Sequence, residues 1–103
     1  MPLYITEYAE LARDRHSFHI AAGLEPAIAG QEVAVGAGSV ESAAFNELTA
    51  FVMVHAEEAA HIKFGLASGA VTAVTTAHRM AAGETRFYGV PPGGLYQLAV
   101  IAG

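Results

Sequence analysis

The sequence predicts an all-β protein, a small antiparallel β-sandwich or jelly-roll-like barrel of about seven to eight strands behind an extended N-terminal arm. Three observations predict it. Short runs of β-branched and aromatic residues recur along the chain. Turn residues separate them at intervals of about 8 to 12 residues. Apolar residues nowhere keep a helical period long enough for an autonomous helix.

In chain order, Leu3-Tyr4-Ile5-Thr6 is a short first strand. In residues 7–15, EYAELARDR, Tyr8, Leu11 and Ala12 lie at helical spacing between charged neighbours, which allows one or two helical turns. Residues 16–30 contain two glycines and Pro26 without a sustained period, and Pro26 pushes Glu25 toward extended geometry. That stretch reads as an arm, so the chain divides into an arm, residues 1–30, poised for contact with a neighbouring subunit, and a sandwich domain, residues 31–103.

The domain begins with Gln31-Glu32-Val33-Ala34-Val35, a strand with Val33 and Val35 on one face, ended by Gly36-Ala37-Gly38. Residues 39–45 form a further strand, and Asn46 and Glu47 a turn. A helix over residues 39–54 is the competing reading, disfavoured by the β-branched Thr49, Val52 and Val54. The organising stretch is AFVMVHAEEAAHIKFG, residues 50–65. Its two apolar runs, Phe51 to His55 and His61 to Phe64, predict a β-hairpin with Glu57 and Glu58 at an exposed tip. Ile62 and Phe64 alternate with His61 and Lys63, which marks one face as wet.

Residues 65–69 read as a loop, and 70–77, rich in valine and threonine, as a strand or irregular edge. His78-Arg79-Met80 leads into a turn at 81–84, and Thr85 to Val90 is a strand with Arg86 and Tyr88 on one face and Phe87 on the other. Pro91-Pro92-Gly93-Gly94 is the clearest punctuation, a rigid entry followed by residues tolerant of positive φ. Leu95 to Ile101 is the final strand.

Composition points to association. The chain has 22 alanines and 11 glycines among 103 residues, with five phenylalanines, four tyrosines and no tryptophan, so little area is available to bury. No cysteine can supply a disulfide, and only 15% of residues are charged against 53% hydrophobic. Both features favour a homo-oligomer or a subunit of a larger assembly. A net charge of −5 with scattered Arg13, Arg15, Lys63, Arg79 and Arg86 argues against a nucleic-acid surface. No apolar run approaches the ~20 residues of a membrane span, and Glu7 and Glu10 stand where a signal peptide carries positive charge. A cytosol-like site of synthesis is expected.

Candidate chemistry is sparse. His55 and His61 flank Glu57 and Glu58, and on paired hairpin strands those imidazoles would stand close enough to share a metal, although no fourth ligand is indicated. His16 and His19 would share a face only on a helix. His78 beside Arg79 reads as a polar edge. Ser17, Ser39, Ser42 and Ser68 lie in no nucleophile frame, and the glycines at 36–38 and 65–69 lack the lysine of a phosphate loop. Adjacent carboxylates at a tip cannot hold opposed acid and base positions. Phe87 is assigned to the core, while Tyr88 and Tyr96 fit core or interface equally. No catalytic, cofactor-binding or metal residue is assigned.

The order EPAIAGQEVAV, SAAFN, FVMVHAEEAAHIKFG, a threonine-rich strand, MAAGETRFYGV, PPGG and LAVIAG, from Leu3 to Ile101 with the strand before it, resembles a family of short accessory proteins of tailed bacteriophages. The resemblance implies a non-catalytic, all-β virion component, assembled in the host cytoplasm. It would attach to other virion proteins and decorate the head or form part of a vertex or fibre. It carries no residue roles, and Arg13 to Gly23 looks specific to this chain. The expected function is therefore that of a virion structural protein. The alternatives are a carbohydrate- or host-surface-binding module, which needs an exposed aromatic platform, and a small metal-dependent enzyme.

Overall fold

The computed structural model describes residues 2–13, 15–16, 19–23, 25–69, 71–75 and 78–103, with 19–22 as backbone. The chain is all-β, with ten strands and no helix among the described residues. They are β1 (Pro2–Tyr8), β2 (Leu11–Arg13), β3 (His19–Gly23), β4 (Ala29–Ala34), β5 (Val40–Glu41), β6 (Phe51–Ala56), β7 (Ala60–Leu66), β8 (His78–Met80), β9 (Thr85–Gly89) and β10 (Tyr96–Ala102). Eight form two antiparallel sheets, ordered β4-β1-β6-β9 and β5-β10-β7-β8, and β2 pairs with β3 as a separate ribbon. The steps β4 to β5, β5 to β6, β6 to β7, β8 to β9 and β9 to β10 each change sheet. That repeated crossing is the path of a jelly-roll-like sandwich.

Two expectations are corrected. Residues 50–65 are not a hairpin: β6 pairs with β1 and β9, whereas β7 pairs with β10 and β8 in the other sheet. Glu57, Glu58 and Ala59 form an arch between the layers, since three extended residues reach about 10 Å, the usual spacing of packed sheets. Nor does the domain begin at Gln31. β1 is an interior strand, paired with β4 from Pro2↔Ala34 to Glu7↔Ala29 and with β6 from Leu3↔Ala56 to Tyr8↔Phe51. Among the described strands only the β2–β3 ribbon stands outside the two sheets, and over residues 7–13 the helical turns considered for 7–15 give way to the end of β1 and to β2.

Alternation sets the core. Leu3 and Ile5 of β1, Val52, Val54 and Ala56 of β6, Ala60 and Ile62 of β7, and Leu98 and Val100 of β10 are buried in one cluster with Val33, Phe45, Met80 and Val90. Phe64, Tyr88 and Tyr96 pack against it. The rings lie toward the end where β6 begins, and at the arch end Ala56 and Ala60 stand opposite the larger Leu3 and Met80.

The predicted strand at 39–45 shortens to β5, yet it still follows β10. Ser42 N–H donates to the Leu98 carbonyl at 2.7 Å and Phe45 N–H to that of Tyr96 at 2.9 Å. Between them the chain turns to the other sheet. The Gln31 side-chain amide pairs with the Ala43 peptide, accepting its N–H at 3.0 Å and donating to its carbonyl at 3.3 Å. Glu7, almost fully buried, accepts from Asn46 N–H at 2.7 Å and from the Thr49 hydroxyl at 2.8 Å. These polar clips fasten the crossover.

Residues 71–75, described as irregular rather than strand, cover the outer face of the second sheet. Val71 and Ala73 pack on Ala99 and Ile101, Val71 fills the space a side chain on Gly65 would need, and Ala73 N–H donates to Ser39 Oγ at 2.8 Å. On the outer face of the first sheet, Gly23 of the ribbon lies so close to the Tyr8 ring that an added Cβ would fall 2.4 Å from it. Tyr8 in turn donates to Glu25 at 2.7 Å, the main cause that raises its phenol above the ordinary value, with burial second.

Candidate interaction surface

The arch separates the two candidate metal ligands. His55 sits among the outward positions of β6, and its Nδ1 lies 2.6 Å from Thr85 Oγ1. His61 sits among the outward positions of β7 in the other sheet, in register with Arg79 and Ile101. The two imidazoles face away from each other, on opposite sides of the sandwich. Among the described residues no three His, Asp or Glu side chains are grouped as metal ligands. Of the His16–His19 pair, His16 is exposed and the side chain of His19 lies outside the described ones.

The other candidates have local work. Ser42 Oγ accepts Leu98 N–H at 3.0 Å and donates to the Ala43 carbonyl, and Ser39 Oγ holds Ala73. His78 stands 5.8 Å from the Tyr88 ring, which continues through Phe64 to Phe45. Ser17 lies outside the described residues.

Phe87 is corrected from core to surface. Register places Tyr88 opposite Val52 and Arg86 opposite Val54, so those two face inward, whereas Phe87 joins Met53 on the outer face with 38% of its area exposed. Tyr88 and Tyr96 both pack on the core. Tyr4, half-buried beside His55 at 6.4 Å, has its phenol pushed upward by burial first and then by Glu57 and Glu32.

The largest exposed apolar side chains gather at one pole. Here β6 begins, β7 ends, β9 ends and β10 begins. Leu48, Leu66 and Leu95 are 64%, 51% and 60% exposed, and among the described residues no other large hydrophobic side chain exceeds half. Leu48 and Leu95 come from two different connections and Leu66 ends β7, and backbone bonds tie the three segments together. Gly93 N–H donates to the Glu47 carbonyl at 2.8 Å, Ala67 N–H to that of Leu95 at 2.6 Å, and Val90 N–H to that of Ala50 at 2.9 Å. The turn under Leu48 closes with Thr49 N–H on the Asn46 carbonyl, and Asn46 Oδ1 accepts Leu48 N–H, both at 2.9 Å. Gly94 sits at φ 69°, and a Cβ added there would fall 3.3 Å from the Glu47 backbone, so glycine suits both the conformation and the close approach.

Pro91 and Pro92 are exposed beside the leucines, and Glu47 is the single charge in residues 42–50, 66–69 and 90–96. The opposite pole carries Glu57 and Glu58 of the arch and the 81–84 turn. There Ala56 N–H donates to the Glu84 carbonyl at 3.0 Å and Gly83 N–H to that of Ala56 at 2.7 Å. One pole is apolar and the other acidic. Sequence reading missed the leucine pole because Leu48, Leu66 and Leu95 are 18 and 29 residues apart and only the fold gathers them.

Compared with known protein families, with curated proteins and with solved structures, the chain matches none of them.

Proposed function

We propose that this protein is a non-enzymatic structural component of a bacteriophage virion that docks on other virion proteins through its leucine pole. The observation that carries the docking is the gathering of Leu48 and Leu95, on two loops, with Leu66, at the end of β7, on segments held by mutual backbone bonds. Exposed apolar side chains on fixed loops lose little conformational entropy on binding and gain from leaving water, which is how an anchor of an interface works. The resemblance of the ordered sequence segments to accessory phage proteins supplies the virion setting, and an acidic far pole would keep the docked copy soluble.

A map of the intact particle tests this reading, together with mass spectrometry of purified particles. The expected result is density for the sandwich with its leucine pole against another virion protein. Particles without this chain, or copies attached by the acidic pole, would overturn it.

A further inference from the structure

We propose that two copies of this chain join edge to edge along β9, in an antiparallel pair centred on Phe87, to make one continuous eight-stranded sheet. This goes beyond the docking reading and does not depend on it, since β9 runs along the side of the sandwich and leaves the leucine pole free.

The parity of the β6–β9 ladder fixes which groups face outward. Ala50 with Val90 and Ala56 with Glu84 are bonded across the two ends, and the register runs Val52↔Tyr88 and Val54↔Arg86 between them. In an antiparallel ladder bonded pairs alternate, so Tyr88 and Arg86 turn their peptide groups toward β6. Thr85, Phe87 and Gly89 therefore present both N–H and C=O to the open side. β9 is the last strand of its sheet, and among the described residues no backbone bond leads from those three to another strand beyond it.

The other edges are less available. β5 and β8 have two and three residues, and β4 has its Gln31 side chain clipped to Ala43. Short strands and covered edges are the usual protection against pairing. β9 has five residues and a single charge that faces the core side, Arg86, which is held at 2.8 Å by Glu84.

A second copy fits this edge because the exposed groups are symmetric about Phe87. Antiparallel pairing places Phe87 opposite Phe87 of the second copy, and Thr85 opposite its Gly89, giving about six hydrogen bonds in bonded-pair geometry. On the outer face the two Phe87 rings, exposed in the single copy, cover one another and extend the row from Met53. On the inner face Arg86 falls opposite Tyr88 of the second copy and not opposite a like charge. The Tyr88 hydroxyl is buried beside Arg86 of its own chain without a well-formed hydrogen bond, and the second guanidinium brings it another donor.

Cysteine cross-linking tests the register, because the chain has no cysteine of its own. Residues directly opposite in a bonded pair have Cα atoms about 5.5 Å apart, within disulfide range. On mild oxidation Phe87→Cys should give a covalent dimer, whereas Thr85→Cys, opposite glycine, should stay single. In the unmodified full chain, amide exchange at Thr85, Phe87 and Gly89 should slow at least about tenfold between ~1 µM and ~200 µM protein, as mass action requires of a dimer contact. Equal cross-linking of both variants, or none with Phe87→Cys, would overturn the proposal, as would exchange at these amides that ignores concentration. If Phe87→Cys does not fold, the exchange measurement decides alone.

Discussion

At the residue scale, the unusual side chain is Glu7, a carboxylate 3% exposed on an inward position of a central strand. It is tolerated because Asn46 N–H and the Thr49 hydroxyl both donate to Oε1, and Gln31 Nε2 lies 3.5 Å from Oε2. Charge-assisted bonds of this kind are worth about twice a neutral one, and a donor left without its acceptor loses that and its hydration. Glu7→Ala is therefore expected to cost about 3 kcal/mol in denaturant unfolding, because it takes the acceptor from the buried Thr49 hydroxyl and the partly buried Asn46 N–H at once. Thr49→Val removes one donor and leaves the carboxylate held by the other, for an expected cost of about 1.5 kcal/mol. If Glu7→Ala proved as mild as Thr49→Val, the crossover would not depend on this carboxylate.

Glu84 gives a pH-dependent counterpart on the surface. Its carboxylate accepts Ala81 N–H at 2.9 Å and pairs with Arg86 at 2.8 Å, and these contacts, the backbone bond first, hold its pKa below the ordinary carboxylate value. A depressed carboxylate contributes stability above its unfolded pKa and loses it as pH falls through the folded value. Acidification below the ordinary carboxylate range is thus expected to loosen the 81–84 turn before the sheets separate. An NMR titration would show the Ala81 amide following Glu84 ionisation, and Glu84→Gln would abolish that step.

At the scale of elements, most strands were legible because inward and outward residues alternate: Val52, Val54 and Ala56 buried against half-buried Phe51, Met53 and His55 is a pattern that sequence displays directly. What sequence does not display is the partner. Two such strands joined by Glu57-Glu58-Ala59 have the same alternation whether they pair as a hairpin or face each other across the core. The choice depends on β1, which lies some fifty residues upstream and occupies the place beside β6 that β7 would need in a hairpin. The same distance effect hid the role of residues 2–8, whose charged continuation suggests a helix, and the inward turn of Tyr88 in place of Phe87.

The satellite formed by residues 71–75 should be separable from the main sandwich. Among the described residues Val71 belongs to a satellite cluster with Ala73, Ala99 and Ile101 over Gly65, whereas Leu98 lies wholly inside the main cluster. Val71→Ala is expected to cost about 1 kcal/mol and to speed exchange in 71–75 alone. Leu98→Ala leaves a cavity that rigid sheets cannot close and should cost about 3 to 4 kcal/mol, with every strand destabilised together. A global effect of Val71→Ala equal to that of Leu98→Ala would mean that the covering segment is part of the core.

At the scale of the whole molecule, polarity and interior run along the same axis. Aliphatic side chains, Ala56 and Ala60 with Leu3 and Met80 opposite them, close the sandwich toward the acidic arch, and the rings of Phe45, Phe64, Tyr88 and Tyr96 fill it toward the leucine pole. Those rings brace the base on which the loops of Leu48 and Leu95 and the end of β7 at Leu66 rest, so the leucines can stay in water without the fold depending on them. Replacing all three with asparagine should change unfolding free energy by no more than about 0.5 kcal/mol each, because residues more than half exposed have little burial to lose. Binding should respond differently. Anchors that leave water at an interface cost roughly 1 to 2 kcal/mol or more apiece when truncated, and the triple variant should fail to incorporate into particles while keeping its melting transition and circular dichroism. A variant that incorporates normally would remove the leucine pole from the assembly, and one that unfolds would mean those leucines belong to the core.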